Sequence, residues 1–384
     1  MKIVLAPDSF KGSLTAKEVC EAMAQGIRRY SDDCDIVQVP MADGGEGTVQ
    51  SLVDATGGEF IEKTVTGPLG EPTEARYGIM GDGDTAVIEM AAASGLPLVP
   101  EDSRDPSNTT TYGTGELIIS ALDHDCSTII VGIGGSATTD AGTGMAQALG
   151  AVLLDETGAE LPQGAAGRHL QQLRRIDISG LDPRVTDAAF RVACDVDNPL
   201  YGENGAAYVY GPQKGADPET VRKLDAGLRN FARVVKEYLD IEVADVPGAG
   251  AAGGLGAGLI AFCGAELELG VDIVLDAVDL ESRVQGADLL ITGEGAIDFQ
   301  TAFGKAPSGA VRVATAHGVP NMVIAGAVDL EANLLHDRGF GPLFSICNEA
   351  MALETAMDPS LAKEMTALAA EEAVMCFCLR GGCD

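Results

Sequence analysis

Apolar runs of four or five residues alternate with polar loops and amphipathic stretches at both ends of this chain. Residues 3–6 read as a buried strand, because a short unbroken apolar run bounded by proline and aspartate is the mark of a strand covered on both faces. Thr15-Ala16-Lys17-Glu18 then forms a capping box that opens an amphipathic helix reaching about Tyr30, the hydroxyl and the carboxylate each satisfying a backbone N–H at the helix start. Residues 36–39, 41–47 and 48–55 repeat the order strand, loop, helix. The C-terminal third follows the same rhythm, with strands at 288–292, 322–325 and 343–346, a loop at 293–305, a helix at 308–317 and a last helix from about Leu361. Such alternation predicts a parallel sheet with helices on both faces.

The rhythm changes between these ends. Segments 62–66, 74–79 and 85–90 are strand-like and separated by Gly/Pro turns too short to hold helices, which predicts hairpins. A helix at 116–122, a strand at 128–131, a helix at 141–149, a strand at 191–194 and a long helix at 218–239 complete a mixed middle region. The predicted fold class is α/β, a Rossmann-like parallel-sheet domain built from both chain ends (1–66 and 284–384) with an inserted second α/β domain (67–283). A ligand is expected in the crevice at the carboxyl ends of the strands, where the loops of doubly wound sheets collect.

Length and composition agree, because 384 residues exceed one ordinary core and 46% hydrophobic residues can fill two. The formal net charge of -33 repels nucleic acid and anionic membrane, so neither is expected as a partner, and an anionic substrate needs a local basic site. Nine cysteines are scattered without a CxxC pair and four histidines form no metal-binding cluster, which predicts reduced thiols and a cytoplasmic protein. The uncharged stretch 246–265 is dominated by Gly and Ala and carries Pro247 near its start, so it reads as a Gly-rich loop entering a packed helix and not as a membrane span.

Against that acidic background, Lys11, Lys214 and Lys305 stand beside glycines in predicted loops. Glycine lets backbone N–H groups approach a ligand and the ammonium supplies the opposite charge, a combination suited to phosphate or carboxylate. Gly132-Ile133-Gly134-Gly135-Ser136-Ala137-Thr138-Thr139-Asp140 follows a strand and precedes a helix, so Gly134, Gly135, Ser136 and Thr138, with Lys305, are the candidate phosphate binders. Asp195 and Asp197 follow the strand at 191–194, where one carboxylate can accept a hydroxyl proton and the other can hold magnesium. Asp43, Glu46, Glu294 and Asp298 are further oxygen donors for Mg2+ in strand-end loops. Asp195 and Lys11 are therefore the expected catalytic pair, and Asp8, Ser9, Arg191 and Lys214 the expected substrate contacts. Lysines beside glycine loops with separate carboxylates are the parts of phosphoryl transfer, where positioning and charge neutralisation do most of the catalysis.

Taken together, Ala6-Pro7-Asp8-Ser9-Phe10-Lys11-Gly12-Ser13, Met41-Ala42-Asp43-Gly44-Gly45-Glu46-Gly47, Tyr112-Gly113-Thr114-Gly115-Glu116, the 132–138 loop, Cys194-Asp195-Val196-Asp197-Asn198-Pro199, Gly211-Pro212-Gln213-Lys214-Gly215, Gly250-Ala251-Ala252-Gly253-Gly254 and Ile291-Thr292-Gly293-Glu294-Gly295 resemble the bacterial glycerate kinase family over nearly the whole chain. The resemblance implies ATP- and Mg2+-dependent phosphorylation of D-glycerate, typically to 2-phosphoglycerate, by a two-domain enzyme with its active site in the cleft between the domains; a monomer or homodimer is expected. A kinase of another small hydroxy acid, or a non-catalytic binder of an anionic metabolite, is the alternative. One departure is Ala141, where the family pattern leads one to expect glycine.

Overall fold

The computed structural model describes residues 1–45, 47–302 and 304–379, and contacts divide the chain into two units, Met1–Gly57 with Val271–Asp384 and Gly58–Gly270. The first unit holds a five-stranded, wholly parallel sheet in the order Leu343–Ser345, Asn321–Ala325, Leu289–Thr292, Lys2–Leu5, Asp35–Gln38. Its two central strands come from opposite ends of the chain, with Ile3 opposite Leu289 and Leu5 opposite Ile291. Ile3, Leu5, Leu289, Ile291 and Ile324 are completely buried together with Val19, Met23 and Ile27 of the helix Ala16–Tyr30, which explains why those strands read as continuous apolar runs. The capping box is formed as the local pattern predicts, Thr15 and Glu18 exchanging side-chain and backbone hydrogen bonds.

The second unit has a six-stranded mixed sheet in the order Glu266–Glu268, Ala189–Ala193, Thr128–Gly132, Thr85–Glu89, Pro72–Ile79, Glu59–Thr66. The first four strands are parallel and the last two add an antiparallel meander, so the hairpin pattern at 62–90 forms. The strand Glu59–Thr66 pairs along its whole length with Pro72–Ile79 and therefore belongs to this unit. The division falls at Gly57/Gly58 and Gly270/Val271, nine and thirteen residues earlier than the hydrophobic pattern places it, and the helices Gly270–Ala277 and Leu280–Val284, which the pattern does not announce, lie at and after the second break.

The Gly/Ala stretch has a specific packing role. Ala252, Gly253 and Gly254 adopt left-handed backbone and a helix then continues to Cys263. The Gly253 carbonyl accepts a hydrogen bond from the Ala141 N–H at 3.1 Å, and a Cβ on Gly253 would stand 2.0 Å from the Thr138 carbonyl oxygen. One turn further, a Cβ on Gly258 would meet the Ala141 carbonyl oxygen at 2.5 Å. On its other side, the Gly250 N–H donates to the Asn198 carbonyl at 3.0 Å and a Cβ there would meet the Pro199 carbonyl oxygen at 2.2 Å. Main chain thus lies directly on main chain at both polar loops of the unit. Ala141 itself takes φ +53°, the left-handed region that costs a residue with a Cβ about 1–2 kcal/mol. Among the described residues, no helix is long and apolar enough to cross a membrane, and Cys378 is disulfide-bonded, contrary to the expectation that all nine cysteines are thiols.

Two substitutions separate these effects. Gly253→Ala combines left-handed strain with a backbone collision and lowers unfolding free energy by roughly 2–5 kcal/mol in a denaturant titration. Ala141→Gly changes it by less than about 1 kcal/mol, because relief of strain is offset by the lost methyl burial and the greater freedom of the unfolded chain.

Candidate active site

In the first unit the polar loops collect where the sheet changes direction. Chain continuity runs from Lys2–Leu5 outward to Asp35–Gln38 on one side and from Leu289–Thr292 outward to Asn321–Ala325 on the other, so the switch point lies between the two central strands, the place where doubly wound sheets hold ligands. Asp8 and Glu294 leave those two strand ends side by side. The Asp8 N–H donates to the Gly293 carbonyl at 2.8 Å, and the Thr292 hydroxyl donates to the Ala6 carbonyl at 2.6 Å. Asp43 leaves the neighbouring strand end, its carboxylate accepting the Gly45 N–H at 3.0 Å.

These acids feel one another. Burial pushes the Asp8 carboxyl up to about 7, with the charges of Asp43 and Glu294 adding to the rise and the Ser9 N–H, 2.6 Å away, opposing it. Glu294 is also raised, chiefly by burial, although the Thr301 hydroxyl at 2.7 Å and the Lys305 ammonium at 3.2 Å hold its two oxygens. Asp298 closes the adjoining turn, its carboxylate accepting the Thr301 N–H at 3.1 Å. Lys11 is exposed on the loop after Asp8, and Gly295 lies against its backbone N–H. Glu46 lies outside the described residues. Among the described residues, no group of three or more His, Cys, Asp or Glu is arranged to hold a metal ion on its own. Magnesium does not require such a cage, since it keeps several waters and binds through one or two carboxylates plus substrate phosphates. Asp43 and Glu294 suit that mode.

The second unit carries the hydroxyl loop. Gly134 and Gly135 are exposed, while Ser136, Thr138, Thr139 and Asp140 are buried. Lys214, expected in a loop as a substrate contact, is only 2% exposed, its ammonium donating to the Ser136 hydroxyl oxygen at 2.7 Å and the Thr138 carbonyl at 2.6 Å. Burial lowers its pKa to about 7 against the opposing pull of Asp140. Because the ammonium donates to the Ser136 oxygen, the hydroxyl proton is left to point elsewhere. The Thr138 hydroxyl is buried without a partner.

Asp140, which the sequence reading passed over, organises the far side of the loop. Its carboxylate accepts the Thr111 N–H and hydroxyl, both at 2.8 Å, and the Gly142 and Gly144 N–H groups at 3.2 and 3.3 Å. The helix that follows is only Thr143–Ala148. Its first N–H groups therefore serve Asp140, and the part of the expected phosphate cradle left open is Gly134 to Ser136. The spacing of Asp140 just before a glycine-bounded helix was the available signal.

Asp195 and Asp197 are exposed after the strand Ala189–Ala193 and line a cavity of about 490 Å³ with Cys194, Val196, Pro247, Leu267, Glu268 and Leu269. Asp195 accepts the Gly270 N–H at 3.0 Å. Arg191 is held by both oxygens of Glu268, at 2.8 and 2.6 Å, so its guanidinium is engaged by the protein where a substrate carboxylate was expected. The structure thus gathers Asp8, Ser9, Lys11, Asp43, Glu294, Asp298 and Lys305 in the first unit. Gly134, Gly135, Ser136, Thr138, Arg191, Asp195, Asp197 and Lys214 belong to the second. Lys305 shares the first unit with the acids, while the Gly134–Thr138 loop and Asp197 belong to the second.

Residues 3–377 match the model of the glycerate kinase family. The chain is 54% identical to "Glycerate kinase" of Bacillus subtilis (strain 168), with 93% of each chain covered. It is 52% identical to "Glycerate 2-kinase" of Escherichia coli (strain K12), again over 93% of each. A crystal structure described as glycerate kinase 2 from Salmonella typhimurium LT2 superposes with a TM-score of 0.91 at 48% identity, covering 99% of both chains.

The buried lysine gives a pH-dependent prediction. A folded pKa of about 7, below the ordinary 10.5, means that the unfolded chain binds the extra proton between those values, so wild-type stability falls as pH drops through that window and levels off below about 7. In Lys214→Met that slope disappears. The melting temperature of the variant relative to wild type rises from pH 9.5 to pH 7, measured by circular dichroism; a constant difference contradicts a buried, neutralised lysine.

Proposed function

Since this chain belongs to the glycerate kinase family, whose members phosphorylate an alcohol group, we propose that it transfers the terminal phosphoryl group of ATP to the 2-hydroxyl of D-glycerate, giving 2-phosphoglycerate and ADP. The observation that carries this reading is the convergence of Asp8, Asp43 and Glu294 with Lys305 at the switch point of a parallel sheet, because phosphoryl transfer needs carboxylates and cations held apart from bulk water in fixed positions. The E. coli relative's name supports the 2-position.

Asp43 and Glu294 would hold Mg2+, which neutralises phosphate charge when bound. Lys11 and Lys305 hold anionic oxygens of the substrates, Lys305 being fixed by its pair with Glu294. Ser136, with Lys214 donating to its oxygen, offers its hydroxyl proton to a phosphoryl oxygen beside the exposed Gly134 and Gly135. A carboxylate must take the proton of the glycerate hydroxyl. Asp8 is better placed for that than Asp195, since it stands at the switch point between the strand ends that carry Lys11 and Glu294.

A phosphorus NMR spectrum of the product formed from ATP, Mg2+ and D-glycerate shows the 2-phospho isomer under this reading; the 3-phospho isomer or no product refutes it. Asp8→Asn lowers kcat by about 10² to 10⁴, the usual contribution of a positioned base, with the fold intact by circular dichroism. Turnover within a few-fold of wild type removes Asp8 from that role.

A further inference from the structure

Arg104 differs from the other partly buried arginines of the Gly58–Gly270 unit in having no acceptor. Its Nε is buried without a hydrogen-bond partner, and among the described residues no carboxylate pairs with it. Arg184, Arg191 and Arg229 are each held by a carboxylate, of Asp182, Glu268 and Asp225. The acids nearest to Arg104 in sequence are engaged locally. Asp102 accepts the Ser103 hydroxyl at 3.2 Å, and Asp105 accepts the Ser107 N–H at 2.9 Å and the Asn108 side-chain amide. A buried N–H of a charged group is costly without an acceptor, and in native proteins such a group marks strain, function or a bound partner.

The position of Arg104 ties it to the hydroxyl loop. Gly215, in left-handed backbone at φ +98°, lies against it: a Cβ there would stand 2.1 Å from the Arg104 carbonyl oxygen and 2.9 Å from the Arg104 Cβ. The residue before Gly215 is Lys214, whose ammonium holds the Ser136 hydroxyl oxygen. From Arg104 the chain then follows the same loop, the Thr109 hydroxyl donating to the Ala137 carbonyl at 2.9 Å and the Thr111 N–H to the Asp140 carboxylate at 2.8 Å.

The loop itself carries unused donors. Gly135 turns at φ +69°, and none of the N–H groups of Gly134, Gly135 and Ser136 donates to a described residue. Other atoms fix the turn, the Leu96 N–H donating to the Gly135 carbonyl at 2.8 Å and the Ala137 N–H to the Ser94 carbonyl at 2.9 Å. Successive N–H groups in a turn suit an anion, and Gly134 and Gly135 are exposed to one.

We propose that Arg104 completes an oxyanion subsite with the N–H groups of residues 134–136 and the Ser136 hydroxyl, and that this subsite holds phosphoryl oxygens of the nucleotide. The proposal rests on the phosphotransfer reading and adds the cation that the loop needs, since the Lys214 ammonium is engaged by Ser136 and Thr138. A guanidinium fork matches two phosphoryl oxygens at once. The donor set exceeds the about four lone-pair sites of a single carboxylate, whereas consecutive phosphoryl groups accept all of it, so the nucleotide is the occupant and not glycerate.

Arg104→Met in the full-length protein, with folding verified by circular dichroism, raises KM for ATP roughly ten-fold or more while KM for D-glycerate stays within about two-fold. Calorimetric titration with ADP alone weakens in parallel. Arg104→Lys keeps the charge without the fork and raises the ATP KM by a smaller factor, a result that stands even where the Met variant fails to fold. A rise in the glycerate KM alone, an equal rise in both, or no change in either overturns the assignment. Because ADP binding needs no turnover, its loss in Arg104→Met of a protein that leaves glycerate unphosphorylated would uphold the subsite and refute the proposed reaction.

Discussion

Direct contact of main chain on main chain, without side chains between, is the constraint on which the second unit's chemistry depends. Gly250, Gly253 and Gly258 each lie where a single added carbon would strike a carbonyl oxygen of the 138–141 or 198–199 segment. Two loops that leave adjacent parallel strands are thereby fixed to one rigid backbone, and Ala141 and Ala252 are held in left-handed conformations that an isolated loop would abandon. The hydroxyl of Ser136 inherits its position from this seam and from Lys214, whose buried ammonium joins the loop's side chain to its own main chain.

The first unit solves a different problem by topology. Its acids are nearly 300 residues apart in sequence, yet Asp8 and Glu294 emerge from hydrogen-bonded central strands. Burial raises both carboxyls, the charges of Asp43 and Glu294 adding to the rise at Asp8 and that of Asp298 to the rise at Glu294, so the group is unfavourable when fully ionised and gains from a bound cation. Lys305 relieves part of that charge and Thr301 fixes the remaining oxygen of Glu294.

Much of this was readable from local signals. The Thr15–Glu18 box, the strand at residues 3–6 and the hairpin turns are specified by neighbours in sequence, and they form where the pattern puts them. The first break lies before the strand Glu59–Thr66 and not after it, because that strand pairs across the Gly67–Gly70 turn with Pro72–Ile79 and so belongs to the insert. The burial of Lys214 was not legible for a physical reason: Gly-Pro-Gln-Lys-Gly has the composition of an exposed turn, and only tertiary packing reveals that the turn is covered. Asp140 escaped notice because its four partners, at Thr111, Gly142 and Gly144, are set by a loop 29 residues away as much as by its own. Arg191 looked available because its partner Glu268 is supplied by a strand 77 residues later.

The rigid seam is the claim that most of the rest requires, and native-state amide hydrogen exchange tests it directly. Residues 138–142, 198–200 and 250–258 are predicted to exchange as one cooperative unit, with opening free energies equal within experimental error and as high as those of the helix that ends at Cys263. Exchange of residues 138–142 orders of magnitude faster than that of 255–262 would show the loop opening on its own, and would contradict the account.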